Sequence, residues 1–208
     1  MIEHETIPFF GPLWWITNIS TVVVIFSLIF FGKKLNPNKQ SGFGKILGYF
    51  LLFRSVWIHF YQSHLGLWTI ESSLPLHLCG ISAILSGIVL ITQHKRLYEL
   101  LYFWGLTGGY ISIVTPEFTI GTQGLLFADY YISHGGMLFA ALYCTLVVGM
   151  RPSQGSWLKI FLWSQFFIPV VGTLNYLLDS NYMYINAPPV VENPFVVGDA
   201  PFRLIGFE

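Results

Sequence analysis

The sequence predicts an all-α, polytopic transmembrane helix bundle of about six spans, with its amino terminus on the extracytoplasmic side. Three observations lead there. Only 10% of the residues are charged and 54% are hydrophobic, whereas a soluble domain carries roughly 25% charged residues. The mean hydropathy is +0.62. The apolar residues are parcelled into runs of about 18 to 22, the length that ~30 Å of hydrocarbon demands at about 1.5 Å per residue. The formal net charge is zero, so no basic surplus points to nucleic acid. Aromatics make up 18% of the chain, in keeping with the Trp and Tyr belts of membrane interfaces.

The spans follow in order. The first covers about 11–31; acidic Glu3 and Glu5 precede it and no small-residue cleavage site follows, so it reads as a retained anchor and not a signal peptide. The others cover about 44–64, 74–92, 97–115, 128–149 and 157–178, and 179–208 reads as an interfacial tail rich in Pro, Asn and aromatics. Breakers separate them: Asn36-Pro37-Asn38 follows the first, Pro116 closes the fourth and Arg151-Pro152 the fifth, while Pro169 inside the sixth predicts a kink. No internal repeat or low-complexity tract interrupts residues 1–208, which read as one domain.

Lys and Arg set the orientation. Lys33, Lys34, Lys39 and Lys45, then Lys95 and Arg96, then Arg151 and Lys159 fall on alternate loops, eight of the ten basic residues. Those loops are cytoplasmic by the positive-inside rule, and the protein is a multi-pass plasma-membrane protein on this reading. Arg54 lies within the second span and Arg203 in the tail.

On this topology the reactive groups gather at one depth near the outer leaflet. His59 and His64 end the second span, and His77 and Cys79 begin the third. Glu117 follows the fourth; Asp129, Tyr130, Ser133 and His134 begin the fifth; Asn175, Asp179, Asn181 and Tyr182 end the sixth. Ionisable groups inside spans are functional candidates because their burial is costly; the plain alternative is interfacial snorkelling. Cys79 follows Pro75 by four residues, so it falls in the first two turns of a helix capped by Ser72 or Ser73, where the helix dipole favours a thiolate. Ser82, Ala83 and Ser86 continue its face as a cavity wall or, equally, a tight helix seam. His77 lies about 200° around that helix from Cys79 and is expected outside the same pocket. A base must then come from another helix, and His134 is best placed, with Tyr130 one turn before it and Gly135-Gly136 leaving room beside it. Asn175 and Asp179 are candidates to orient the imidazole, although bracing the sixth helix explains Asn175 as well. Cys79 and Cys144 sit at opposite ends of their spans and read as separate thiols, and no Cys/His metal spacing exists.

The strings LPLHLCG (Leu74 to Gly80), LYFWGL (Leu101 to Leu106), YISHGG (Tyr131 to Gly136) and NYMY (Asn181 to Tyr184) resemble the YwaF-like bacterial integral membrane proteins. These are similar to a eukaryotic transmembrane acyltransferase that remodels ether phospholipids. The resemblance runs from about Ile46 to the end. It implies seven spans, with Glu208 about where a seventh would begin, and an active centre of one Cys and one His, here Cys79 and His134. The expected function is a membrane lipid acyltransferase or transacylase that takes an acyl chain from an outer-leaflet phospholipid and needs no metal or redox cofactor. Two other classes fit the same residues. One is a small transporter or ligand-binding membrane protein with a His-lined pocket; polar groups at a single depth argue against a through-path. The other is a haem protein using His59, His77 and His134.

Overall fold

The computed structural model describes residues 4–190. Among them the chain is all-α apart from one two-stranded ribbon. Helix α1 (Pro12–Lys34) has Pro at its first turn and Lys33 and Lys34 in its last, the charge order that a helix dipole favours. Helix α2 (Pro37–His64) starts earlier than the hydropathy suggested. Pro37 does not break the chain there; it is the first helical residue, and the Asn36 side chain accepts a hydrogen bond from the Lys39 backbone N–H at 3.0 Å.

Helix α3 (Leu78–Thr92) is shorter than expected. It begins at Leu78 with His77 as its N-cap, so Leu74–His77 is a turn preceding the helix and Ser72 and Ser73 do not cap it. The fourth column is composite: α4 (Lys95–Leu100), a π-helical turn over Leu101–Gly105, and α5 (Leu106–Val114). Helix α6 (Leu126–Leu146) and helix α7 (Ser156–Leu178) complete six helical columns among the described residues, and α7 runs through Pro169 without ending. A 3-10 turn at Tyr182–Tyr184 folds the start of the tail back towards the helices. Strand β1 (Glu5–Thr6) pairs antiparallel with β2 (Glu117–Phe118), strapping the amino terminus across the loop after α5. Residues 191–208, most of the expected tail, lie outside the described residues.

Helix α3 is the centre of the bundle. Val89 and Leu90 are essentially inaccessible, together with Tyr98, Leu101, Ala140, Tyr143 and Cys144 around them. Its seam with α2 depends on glycine: a Cβ on Gly48 would sit 2.8 Å from the Gly87 carbonyl oxygen, and one on Gly87 would sit 2.8 Å from that of Gly48. Such close approach is how helices associate where lipid supplies no hydrophobic drive between them. The outside is apolar instead. Val23, Phe26 and Phe30 on α1 and Leu162, Trp163 and Phe166 on α7 are all more than half exposed. Helices α1 and α7 have the length and hydropathy to cross a membrane.

Candidate functional site

A cavity of about 520 Å³ lies among α2, α3, α5, α6 and α7. Its lining includes Cys79 and His77 from the start of α3, Ser112 from α5, Tyr130, Ser133 and His134 from α6, Arg54, His59 and Gln62 from α2, Glu117, and Tyr184.

The late start of α3 decides the geometry at Cys79. With His77 as N-cap, Cys79 is the second helical residue. The His77 side chain makes no capping bond; among the described residues the first-turn N–H groups at Leu78 and Gly80 have no partner, and that of Cys79 faces its own thiol. They leave the positive end of the dipole beside the thiol. Pro75 closes over this turn, because Gly80 leaves space that a Cβ, 2.9 Å from the Pro75 Cα, would fill. The Cys79 Sγ lies 3.6 Å from the Ser112 hydroxyl, its hydrogen-bond partner here.

His77 and Cys79 line one cavity, contrary to the expectation from helix periodicity. The 200° separation presumed that both residues are helical; His77 has an extended backbone, with φ −69° and ψ 147°, and its direction is set by the turn.

The two histidines are held in opposite tautomers. His134 Nδ1 lies 2.8 Å from the Tyr130 carbonyl oxygen, which can only accept, so Nδ1 carries the hydrogen and Nε2 presents a lone pair. His77 Nδ1 accepts the Met183 backbone N–H at 3.1 Å, so its hydrogen is on Nε2. One ring is therefore an acceptor and the other a donor on the walls of the same cavity. Tyr130 sets the first: its ring lies 4.2 Å from the His134 ring, and its phenol donates to the Ser112 carbonyl at 2.8 Å while accepting the Glu117 N–H at 3.3 Å. That phenol braces the end of α5.

Asn175 acts elsewhere than on His134. Its amide donates to the Tyr182 carbonyl at 2.8 Å and accepts from the Tyr182 N–H and the Ser180 hydroxyl at 2.8 and 2.9 Å. Tyr182 in turn donates to the Ile70 carbonyl at 2.6 Å and accepts the Leu74 N–H at 3.0 Å. The tail thus pins the turn that carries His77. Asp179 ends α7 in the left-handed region, and Asn175, Asp179 and Tyr182 all stand off the cavity lining. Tyr184 does line it, its ring tilted against that of His77 at 5.2 Å and its side chain hydrogen-bonded to Glu117; burial raises its phenol pKa well above the usual value.

Sequence reasoning noted Arg54 and Asp129 without joining them. Arg54 Nε and Nη2 each lie 2.5 Å from an Asp129 carboxylate oxygen, and Nη1 donates to the Ser133 hydroxyl at 2.7 Å. An arginine in the middle of an apolar run, with a carboxylate at the start of another, was the available signal. Nothing in the sequence marked Ser112 or Gln62. Among the described residues no group of three His, Cys, Asp or Glu side chains is arranged to hold a metal ion. Both cysteines are free.

An apolar-skinned helical bundle around a cavity lined by a thiol and three histidines is a membrane protein with a built interior site. The chain matches the TMEM164 family over residues 9–208 and belongs to it. No curated protein and no solved structure matches it.

Proposed function

We propose that this protein is a multi-pass membrane lipid acyltransferase or transacylase in which Cys79 is the nucleophile and His134 the base. The observation that carries the reading is the pairing within one cavity of a thiol at a helix amino terminus with an imidazole whose free Nε2 is fixed by its Nδ1 bond to the Tyr130 carbonyl. The resemblance to YwaF-like proteins and their acyltransferase relatives supports the same two residues.

The chemistry balances without a cofactor. The thiol proton passes to His134 Nε2, by way of the Ser112 hydroxyl or a water where direct reach is lacking. The thiolate attacks the ester carbonyl of a phospholipid, and the oxyanion lies against the unpartnered N–H groups of the α3 first turn, with His77 Nε2–H as a further donor. Collapse forms a thioester on Cys79 and expels a lysolipid alkoxide, which takes the proton from His134. An acceptor hydroxyl then gives its proton to His134 and attacks the thioester, and the returning proton restores the thiol. Tyr130, Tyr182 and Asn175 are positioning residues in this scheme.

The membrane frame follows from charge. Alternate loops carry Lys and Arg, so six spans with an extracytoplasmic amino terminus put the start of α3 towards the outer leaflet of the plasma membrane. Acyl coenzyme A is on the other side, which leaves a membrane lipid as donor. Incubating the purified protein with radiolabelled phospholipid tests this: a hydroxylamine-sensitive adduct is expected on wild type and absent from Cys79→Ser. Full acyl transfer by Cys79→Ser would reject the nucleophile and favour a pocket that only binds its ligand.

A further inference from the structure

The cavity is larger than a thiol and three imidazoles require. Below Cys79 it continues as an apolar arm between the π-helical turn and α7, walled by Trp104, Ile111, Ile160, Phe161 and Ile168. Gly108 opens the passage: a Cβ there would lie 3.2 Å from the Cys79 Sγ. Trp104 is fixed in the wall by its Nε1–H bond to the Ser164 hydroxyl, 2.9 Å, and by an edge contact with Phe167. From Ile168 to Trp157 the arm follows α7 for roughly 16 Å at about 1.5 Å per residue. That is about half of a hydrocarbon core ~30 Å thick, the half nearer the basic loops, because Trp157 stands in the first turn of α7 after Arg151. The 520 Å³ of the whole cavity is room for on the order of 17 groups of water or methylene size, at roughly 30 Å³ each.

We infer that this arm seats one acyl chain of a membrane lipid, its ester end at Cys79 and its methyl end at Trp157, and that the chain enters sideways past α7. The inference rests on the acyl-transfer reading for the identity of the ester, but the seat itself needs only chain shape. One chain fits and two do not, because the arm is roughly 16 Å long and the whole cavity has the volume of about one chain. Entry is lateral because the foot of the arm is open: Trp157 and Phe161 line it while remaining 62% and 42% exposed. Helix α7 packs on α4 at its foot and on its own tail at its other end, which leaves its middle free of a tight helix seam.

The test uses full-length Cys79→Ser in lipid nanodiscs, so that binding is read without any covalent step. Phospholipids carry a diazirine either near the ester or at the methyl end of one chain, and crosslinked peptides are mapped by mass spectrometry. Ester-end probes are expected on residues around Gly108 and Ile111, and methyl-end probes on Trp157 to Ser164. A chain that runs the other way would reverse the two, and labelling no stronger than on the lipid-facing residues of α1 would show a bulk-lipid contact only; either overturns the seat. Ser164→Trp and Ile160→Trp each fill the arm, and the methyl-end crosslink should fall roughly tenfold while the ester-end one persists, since a packed arm admits no extra volume. Unchanged methyl-end labelling in both filled variants would also overturn it. Ordered crosslinks on Cys79→Ser with no thioester on wild type would keep the seat and remove the acyl-transfer reading; a thioester with disordered crosslinks would do the reverse.

Discussion

Cys79 and Cys144 are the same side chain in different surroundings. Cys144 is fully buried in the packed core formed by α6 and its neighbours, whereas Cys79 borders a cavity beside unpartnered backbone N–H groups. A hydrophobic maleimide should therefore label wild type and Cys144→Ala alike and leave Cys79→Ala unlabelled, read by intact-protein mass spectrometry; equal labelling of both thiols would contradict the packing difference. Tyr182 makes a second case at this scale. Tyr182→Phe removes the acceptor of the Leu74 N–H and the donor to the Ile70 carbonyl, which should cost about 1–3 kcal/mol in detergent melting if those groups stay buried without partners. The sequence displayed Cys79, His134 and Tyr130 because their types and neighbours are unusual for apolar runs. It could not display the tautomers of His77 and His134. Those depend on a carbonyl one turn away in one case and on an N–H more than a hundred residues away in the other.

At the level of elements, hydropathy found the helices because lipid-facing surfaces demand apolar runs, and it misjudged the ends where polarity alone does not terminate a helix. The apolar residues Leu74, Pro75 and Leu76 extend the α3 run without joining its helix, and Pro37 starts α2 in place of ending a loop. The π-helical turn in the LYFWGL string was likewise invisible, since a wider turn changes no residue type. The contact that locks two of these elements is Arg54 on α2 with Asp129 on α6. Both side chains are largely buried, so removing one partner leaves an uncompensated charge. Arg54→Met or Asp129→Leu alone should destabilise the protein by about 3–5 kcal/mol, whereas the double variant should recover much of that loss. Thermal melting of the four proteins in one detergent measures it. A double variant as weak as the sum of the two single ones would mean that the residues act independently, against the bidentate geometry.

For the molecule as a whole, orientation is what links the cavity to the donor in the proposed reaction. Helix α3 is only 15 residues long, about 22 Å at 1.5 Å per residue, so it is shorter than a ~30 Å hydrocarbon core, and in the proposed multi-pass frame its first turn lies below one membrane surface. Which surface depends on the loops. Lys33, Lys34 and Lys39 flank the α1–α2 junction, and Lys95, Arg96 and Arg151 flank the α3–α4 and α6–α7 junctions, at the end of the bundle opposite Cys79. The loop on the Cys79 side, between α5 and α6, holds Glu117 and no Lys or Arg. In the proposed orientation, which follows the positive-inside rule, the basic end is cytoplasmic and the first turn of α3 faces outward. In a background with Cys79 and Cys144 replaced by Ala, a membrane-impermeant maleimide applied to whole cells should label a cysteine placed at Gln123 and miss one placed at Asn38. Permeabilisation should expose Asn38→Cys, which guards against a buried site being mistaken for a cytoplasmic one. Labelling of Asn38→Cys in intact cells with protection of Gln123→Cys would invert the bundle. The first turn of α3 would then face the cytoplasm, acyl coenzyme A would become an available donor, and the reason for assigning the donor role to an outer-leaflet lipid would be gone, while the pairing of Cys79 with His134 in one cavity would stand unchanged.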